Sequence, residues 1–170
     1  SVFGSHMQQD GWRDHSAVQN IFSQAKLNFR TSADSDLMVV FREFYSPLSK
    51  DPGALTSAEV HANPRQASAR NVQFNAGEEI RQEEIGMRFR NRFSGGKEFT
   101  ATTYLLHRDF QNRQAFFDGG QVQFDRWVGG LMLQFVNDHI LFHRPNRFLM
   151  GVDYGIQNDD RQRFDNNFGR

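Results

Sequence analysis

The chain contains no cysteine among its 170 residues. This absence excludes a disulfide framework, a zinc site built on cysteine and a thiol nucleophile. The chain also has no formal net charge, because 20 basic residues balance 20 acidic ones. Domains that bind nucleic acid through its phosphates are basic, so we expect no nucleic-acid partner.

Long apolar runs are also missing. No segment approaches the ~18 consecutive apolar residues of a membrane-spanning helix. Aromatic residues are few apart from phenylalanine, with two Trp and three Tyr against 18 Phe. Phe favours strands, and a strand that crosses a membrane exposes only alternate residues to lipid. A chain of low mean hydropathy can therefore still span a membrane as a β-barrel.

Side chains alternate with a period of two along several segments, which indicates strands. In one, Ile85, Met87 and Phe89 alternate with Arg88 and Arg90. Arginines cannot point unpaired into an apolar core, so that face of the strand must meet water or carboxylates. The pattern predicts seven strands, near residues 2–9, 17–31, 37–45, 79–93, 98–109, 122–136 and 147–157.

The connections between these strands alternate between short and long. Residues 32–36 and 94–97 are tight turns, residues 137–146 form a looser one, and residues 45–77 and 110–121 are long loops, with a third beginning near residue 157. Pro47, Pro52 and Pro64 break regular structure in the longest loop. Short turns on one side and long loops on the other are typical of outer-membrane barrels. We predict an all-β fold, an antiparallel transmembrane β-barrel.

The predicted number of strands, seven, is odd. Single-chain bacterial barrels have even numbers of strands, and an open sheet in lipid would leave an unpaired edge. We therefore expect residues 1–170 to be an internal part of a larger barrel. The alternative is a small self-contained barrel that binds a small ligand, either with eight strands in the outer membrane or soluble with a cavity.

The sequence shows no arrangement of residues typical of a catalytic or metal-binding site. His139 and His143 have the spacing of a helical zinc pair, but they flank an apolar segment beside a turn. Asp14, His15 and Ser16 are triad residue types, yet adjacent residues of an extended chain point to opposite sides. We interpret them as turn residues, and we expect no enzyme activity and no metal bound by protein side chains.

Several stretches resemble TonB-dependent outer-membrane receptors, most closely the branch that takes up iron chelates (siderophores). They occur in the same order over nearly the whole chain: residues 10–16 (DGWRDHS), 51–56 (DPGALT), 63–67 (NPRQA), 71–81, 151–154 (GVDY) and 159–166. Each stretch alone is weakly specific, and their order and spacing carry the resemblance.

The resemblance implies a function. Such receptors are 22-stranded barrels in the bacterial outer membrane, filled by an N-terminal plug domain. They take up a ferric siderophore or similar metal chelate, energised by a TonB-type periplasmic protein. We accordingly expect four partners: the chelate, outer-membrane lipid, the protein's own plug and the energy-coupling protein. Residues 1–170 would belong to the barrel domain, without the plug and the remaining strands.

The resemblance also directs attention to particular residues. Arg65, Arg70 and Asn71 lie in the longest loop, where arginine offers charge-assisted bonds to an anionic chelate; a solvated loop arginine is the alternative. A second group is expected to line the lumen and pair with plug carboxylates or neighbouring strands: Arg88, Arg90, Arg92, Arg126 and Asp153.

Overall fold

The structure is a computed structural model that describes residues 1–169, apart from the side chain of Leu141. It contains one antiparallel sheet of seven strands, each paired with its neighbour in sequence. The strands are β1 (Val2–Gln9), β2 (Val18–Arg30), β3 (Ser35–Lys50), β4 (Gly77–Phe93), β5 (Lys97–Arg113), β6 (Gln121–Leu141) and β7 (Arg144–Phe164). The predicted number of strands is therefore confirmed.

Two short helices lie in the β3–β4 connection, α1 (Ser57–Ala62) and α2 (Ala69–Gln73). Thr56 and Glu59 form a capping box at the start of α1, in which each side chain bonds the backbone N–H of the other residue. This reciprocal bonding satisfies two amides at the helix N-terminus. Neither of the helices in residues 1–169 has the length and apolarity to cross a membrane.

The connections are sorted by length, as predicted. One end of the sheet carries the turns 31–34, 94–96 and Phe142–His143, and the other carries the connections 10–17, 51–76 and 114–120. We call the second end the loop end. The looser turn expected over residues 137–146 is wrong, because β6 and β7 pair as far as Leu141 and Arg144. Phe142 and His143 adopt positive φ, as two-residue hairpin turns require. The pair differs from the Asn-Gly sequence that usually predicts such a turn.

Four strands run further than predicted. β5 continues past residue 109 to Arg113, β6 continues past residue 136 to Leu141, and β3 and β7 extend through segments that look locally unlike strand. The sequence placed the end of β3 before Pro47, yet β3 continues to Lys50. The pairing of β3 with β4 shifts register between Ser46 and Ser49. A bulge leaves a residue unpaired, so it accommodates a proline that cannot donate to the ladder. Likewise β7 does not end near Gln157 but pairs with β6 through Phe164.

The register gives the sheet two chemically different faces, because directly paired residues share a face. One face carries an apolar belt that runs across six strands, and we call this the belt face. The belt consists of Ala25, Leu27, Phe29, Leu37, Val39, Phe41, Ile85, Met87, Phe89, Phe93, Phe99, Ala101, Leu105, Leu131, Leu133, Phe135, Phe148, Met150, Val152, Tyr154 and Ile156. The opposite face is rich in charged and amide side chains, and we call it the polar face.

Along β4, the exposure of the two faces is the reverse of that in a soluble sheet. On β4, the belt residues Ile85, Met87 and Phe89 are 45%, 43% and 38% exposed. Arg88 and Arg90, which point to the other side, are partly buried. From Ile85 to Phe93 the belt extends about 27 Å along the strand at roughly 3.4 Å per residue. With the strand tilted by roughly 40°, that length corresponds to a height of about 21 Å, close to the ~25 Å apolar band of outer-membrane-type barrels.

The two faces can be distinguished by a matched pair of substitutions in β6. Leu133→Arg places a charge in the middle of the belt, and we expect it to lower the free energy of unfolding in a bilayer by ~2–4 kcal/mol. Gln134→Arg changes the next residue, which faces the polar side, and should cost far less. Equilibrium unfolding of both variants in lipid vesicles measures the difference. Equal losses would contradict the lipid-facing assignment.

Candidate functional site

The long connections at the loop end are joined by an arginine. Arg13, in the β1–β2 connection, donates from Nη1 to the Gly53 carbonyl at 2.7 Å, from Nη2 to Pro52 at 3.1 Å and from Nε to Gln66 at 3.0 Å. The backbone N–H of Asp14 adds a bond to the Arg65 carbonyl at 2.7 Å. A guanidinium has donors in a fixed fork, so Arg13 holds two distant points of the 51–76 connection against the first loop.

A second junction is built around Asn166, which is fully buried. Its Nδ2 donates to the carbonyls of Phe74 and Gln114, both at 2.9 Å, and its Oδ1 accepts from the N–H of Gly169. The side chain therefore ties residues after β7 to the connections 51–76 and 114–120. Together Arg13 and Asn166 make the loop end one hydrogen-bonded structure.

The turn residues of the first connection behave as predicted. The Ser16 hydroxyl donates to the Arg13 carbonyl, and the Nε2 atom of His15 lies 2.9 Å from the Ala76 carbonyl. His15 and Ser16 thus bond to backbone rather than to each other. Among residues 1–169, moreover, no three His, Asp or Glu side chains are grouped so that they could hold a metal ion.

The three predicted ligand residues of the longest loop occupy different settings. The Arg65 Nε donates to the Trp12 carbonyl at 3.3 Å, and its guanidinium lies 5.9 Å from the centre of the Trp12 ring. Asn71 is buried and donates to Asp51 at 3.1 Å. Arg70 is exposed on α2. The structure does not bring the three into one cluster, and their binding of a chelate stays a prediction.

All five residues predicted to line a lumen lie on the polar face. Arg90 donates from Nε and Nη2 to Asp36, at 3.0 and 2.9 Å. Arg92 is near the same carboxylate at 3.9 Å and near Glu98 at 3.5 Å. Arg126 forms a bidentate pair with Asp159, at 2.7 and 2.6 Å. These three arginines are therefore neutralised by carboxylates of neighbouring strands, the pairing that the sequence analysis expected.

Arg88 differs from those three. Its Nε is buried and has no hydrogen-bond partner among residues 1–169. Asp153 lies in the same cross-strand row, which runs from Arg88 through Thr102 and Met132. Three strand spacings of about 4.8 Å separate the two, too far for an ion pair. Arg88 is thus a cation of the polar face. No carboxylate within residues 1–169 forms an ion pair with it.

Sequence reasoning missed other polar-face arginines. Arg42 bonds Gln24 at 3.0 Å and Glu84 at 3.2 Å, and Arg108 bonds Gln82 at 2.8 Å. Their side-chain partners lie on adjacent strands, so only a register could have revealed them.

The polar face carries an excess of positive charge. Its basic residues are Lys26, Arg30, Arg42, Arg88, Arg90, Arg92, Arg108, Arg126, Arg147, Arg161 and Arg163. Its acidic residues are fewer: Asp36, Glu78, Glu84, Glu98, Asp138, Asp153 and Asp159. The part of the belt face between the belt and the loop end carries the carboxylates Glu43, Glu79, Glu83, Asp109, Asp125 and Asp160, together with the basic residues Lys50, Arg81 and Arg113. Basic residues therefore predominate on the polar face, and carboxylates predominate on this part of the belt face.

No protein-family model matches the chain. A solved structure does: the ferric citrate transporter FecA in its unliganded form matches with a TM-score of 0.82 over 99% of this chain, at 13% sequence identity. The fold is that of a transmembrane β-barrel segment. This confirms the fold implied by the resemblance to TonB-dependent receptors. The chain spans 25% of the length of the transporter.

The junction at Arg13 can be tested by substitution. Arg13→Ala leaves three carbonyls without their charged donor, and we expect the free energy of unfolding to fall by about 1.5–3 kcal/mol. The 51–76 connection should also become more sensitive to limited proteolysis. Arg70→Ala, an exposed change in the same connection, serves as the control. Unchanged proteolysis in Arg13→Ala would contradict the role of Arg13 in holding the loops.

Proposed function

We propose that this chain forms part of the barrel wall of a TonB-dependent receptor in the bacterial outer membrane, which takes up a ferric siderophore or a similar metal chelate. The observation that carries the proposal is the apolar belt across six strands, which on β4 is more exposed than the arginines of the opposite face. Lipid outside and water inside form the environment that stabilises such an arrangement in a membrane barrel.

The sheet edges support the placement in a larger barrel. β1 and β7 do not pair with each other, so each has one edge unpaired within residues 1–169. Lipid cannot satisfy those backbone groups, and further strands would. A barrel of 22 strands with a plug in its lumen would supply them, and the plug would face the polar side of this sheet. A TonB-type periplasmic protein would then act on the plug.

The charge of the polar face supports an anionic cargo. Ferric chelates are often anionic, and arginine forms strong charge-assisted bonds with their oxygens. The ferric citrate transporter has the same fold over this region. We expect iron to arrive already chelated, so that the protein supplies charge and hydrogen bonds and performs no reaction on the chelate.

Binding and uptake assays test this function. The full-length protein, purified in detergent, is titrated with ferric citrate, a ferric catecholate and a ferric hydroxamate, with each iron-free chelator as control. Cells are then compared with and without the gene, and with and without a functional TonB system, for uptake of labelled iron. We expect saturable binding of at least one ferric chelate and uptake that needs both genes. Uptake unaffected by loss of the gene would contradict the proposal.

Arg88 offers a residue-level prediction. Arg88→Gln removes a cation of the polar face that pairs with no carboxylate within residues 1–169. We expect affinity for an anionic ferric chelate to fall roughly tenfold, because a charge-assisted bond contributes about 1.5–3 kcal/mol. Arg81→Gln removes an arginine of the same strand from the belt face and should have little effect. Titration of both purified variants measures the difference. Similar affinities for the two variants would count against Arg88.

A further inference from the structure

Residues 165–169 follow β7 and lie in the loop end, and we call them the latch segment. Its residue Asn166 is fully buried, and the proposed function gives it no role. Three hydrogen bonds join its side chain to the protein, two from Nδ2 and one to Oδ1. Its backbone N–H donates to the Phe117 carbonyl at 2.8 Å, and its carbonyl accepts from the Phe168 N–H at 3.0 Å. All its polar groups are therefore paired within the protein, which is the condition for burying an amide side chain at little cost.

The latch segment is bound closely to the connection between β5 and β6. The Asp165 carboxylate accepts from the Gly119 N–H at 2.9 Å. At Gly120 a Cβ atom would overlap the Phe116 carbonyl oxygen and lie 3.1 Å from the Asn166 Cβ. Only glycine allows that approach, because every other residue carries a Cβ. This side of the junction is therefore fixed by the sequence as well as by hydrogen bonds.

On its other side, the latch segment contacts the end of the connection between β3 and β4. The rings of Phe168 and Phe74 lie 5.2 Å apart, and Phe74 and Ala76 are buried. The Ala76 carbonyl in turn lies 2.9 Å from the Nε2 atom of His15. The contacts therefore run from the latch segment through this connection to the one between β1 and β2.

Two residues at this contact have a backbone conformation that is rare for residues other than glycine. Asn75 and Phe168 have φ of 50° and 53°, in the left-handed region that is costly for a residue with a Cβ. Such a conformation persists only where surrounding contacts hold it. Loss of the Asn166 bonds would let both residues relax, so we expect the two connections to open together rather than one at a time.

We propose that Asn166 is a positioning residue that holds the 51–76 and 114–120 connections together as one cooperative unit, ordered before any cargo arrives. The inference deepens the proposed function and rests on it in one respect, that the loop end is the mouth at which a ferric chelate binds. A loop that is ordered in advance does not have to be immobilised on binding. A loop ordered in only a fraction of the molecules binds with an affinity lowered by that fraction.

Hydrogen exchange of the full-length protein in detergent, without a chelate, tests the cooperative unit. Asn166→Ala removes the side-chain bonds, and Asn167→Ala, a change of the exposed neighbour, is the matched control. In Asn166→Ala we expect the amides of residues 72–76 and 114–120 to lose protection together, by roughly tenfold or more. Amides of β5 inside the belt should keep theirs, which shows that the barrel is folded. Unchanged exchange, or loss of protection in one connection alone, would overturn the proposal.

A second variant covers the case in which Asn166→Ala does not fold. Asn166→Asp keeps the volume and the acceptor for the Gly169 N–H, but when ionised it has no donor for the two carbonyls. We expect it to release the same two connections. Full protection of both connections in Asn166→Asp would contradict the proposal equally.

The positioning role is tested with a ferric chelate that binds the wild-type protein. Saturating chelate should add little protection to the two connections of the wild type, because they are already ordered. In Asn166→Ala we expect the chelate to restore protection there, with affinity lowered roughly tenfold through slower association. A residue with only a structural role would lower the thermal midpoint without this coupling. Wild-type affinity in Asn166→Ala, or an equal gain of protection in wild type and variant, would show that Asn166 does not prepare the mouth.

The two arms separate this inference from the proposed function. If no ferric chelate binds the wild type, the proposed function and the positioning role both fail, and exchange without chelate still decides whether Asn166 holds the two connections together. If a chelate binds while Asn166→Ala changes neither exchange nor affinity, the role of Asn166 is wrong and the proposed function stands.

Discussion

The unbroken backbone register across the apolar belt is the constraint on which the rest of the structure depends. A slip of one residue would move every side chain of a strand to the other face, placing arginines in lipid and phenylalanines in water. In residues 1–169 the register shifts lie between Gln19 and Ile21 and between Ser46 and Ser49, both on the loop side of the belt. Between adjacent belt strands the facing N–H and C=O groups pair with one another, as a bilayer demands.

The order of the loop end follows from that register. Because the strands emerge in fixed positions, Arg13 reaches the carbonyls of Pro52 and Gly53, and Asn166 reaches Phe74 and Gln114. These bonds join segments far apart in sequence, each running from a side chain to a main-chain carbonyl. The positions of the carbonyls depend on where the strands place the backbone, whereas the donors are the side chains of Arg13 and Asn166.

The sequence was sufficient for the parts of the fold that repeat. Period-two alternation located seven strands, and the contrast of loop lengths identified the barrel. The misplaced boundaries share a cause: Pro47, Phe142 and the polar residues after Gln157 look locally unlike strand or hairpin, and pairing with a neighbouring strand overrides that local preference. For the polar-face arginines, too, the sequence predicted one part and left another part undetermined. Alternation placed Arg88, Arg90 and Arg92 on one face, but their different partners depend on Asp36 and Glu98, which only the register brings near.

The length of the strands has a consequence for how this chain can vary. The belt occupies one part of β4 and β5, and the remainder of each strand extends beyond it before the loops begin. The side chains of the belt and those of the loop end therefore lie at different heights of the same strands, joined only through the backbone ladder. A substitution in the connections leaves the apolar side chains of the belt unchanged. We therefore expect the loop end to tolerate change without loss of the apolar surface.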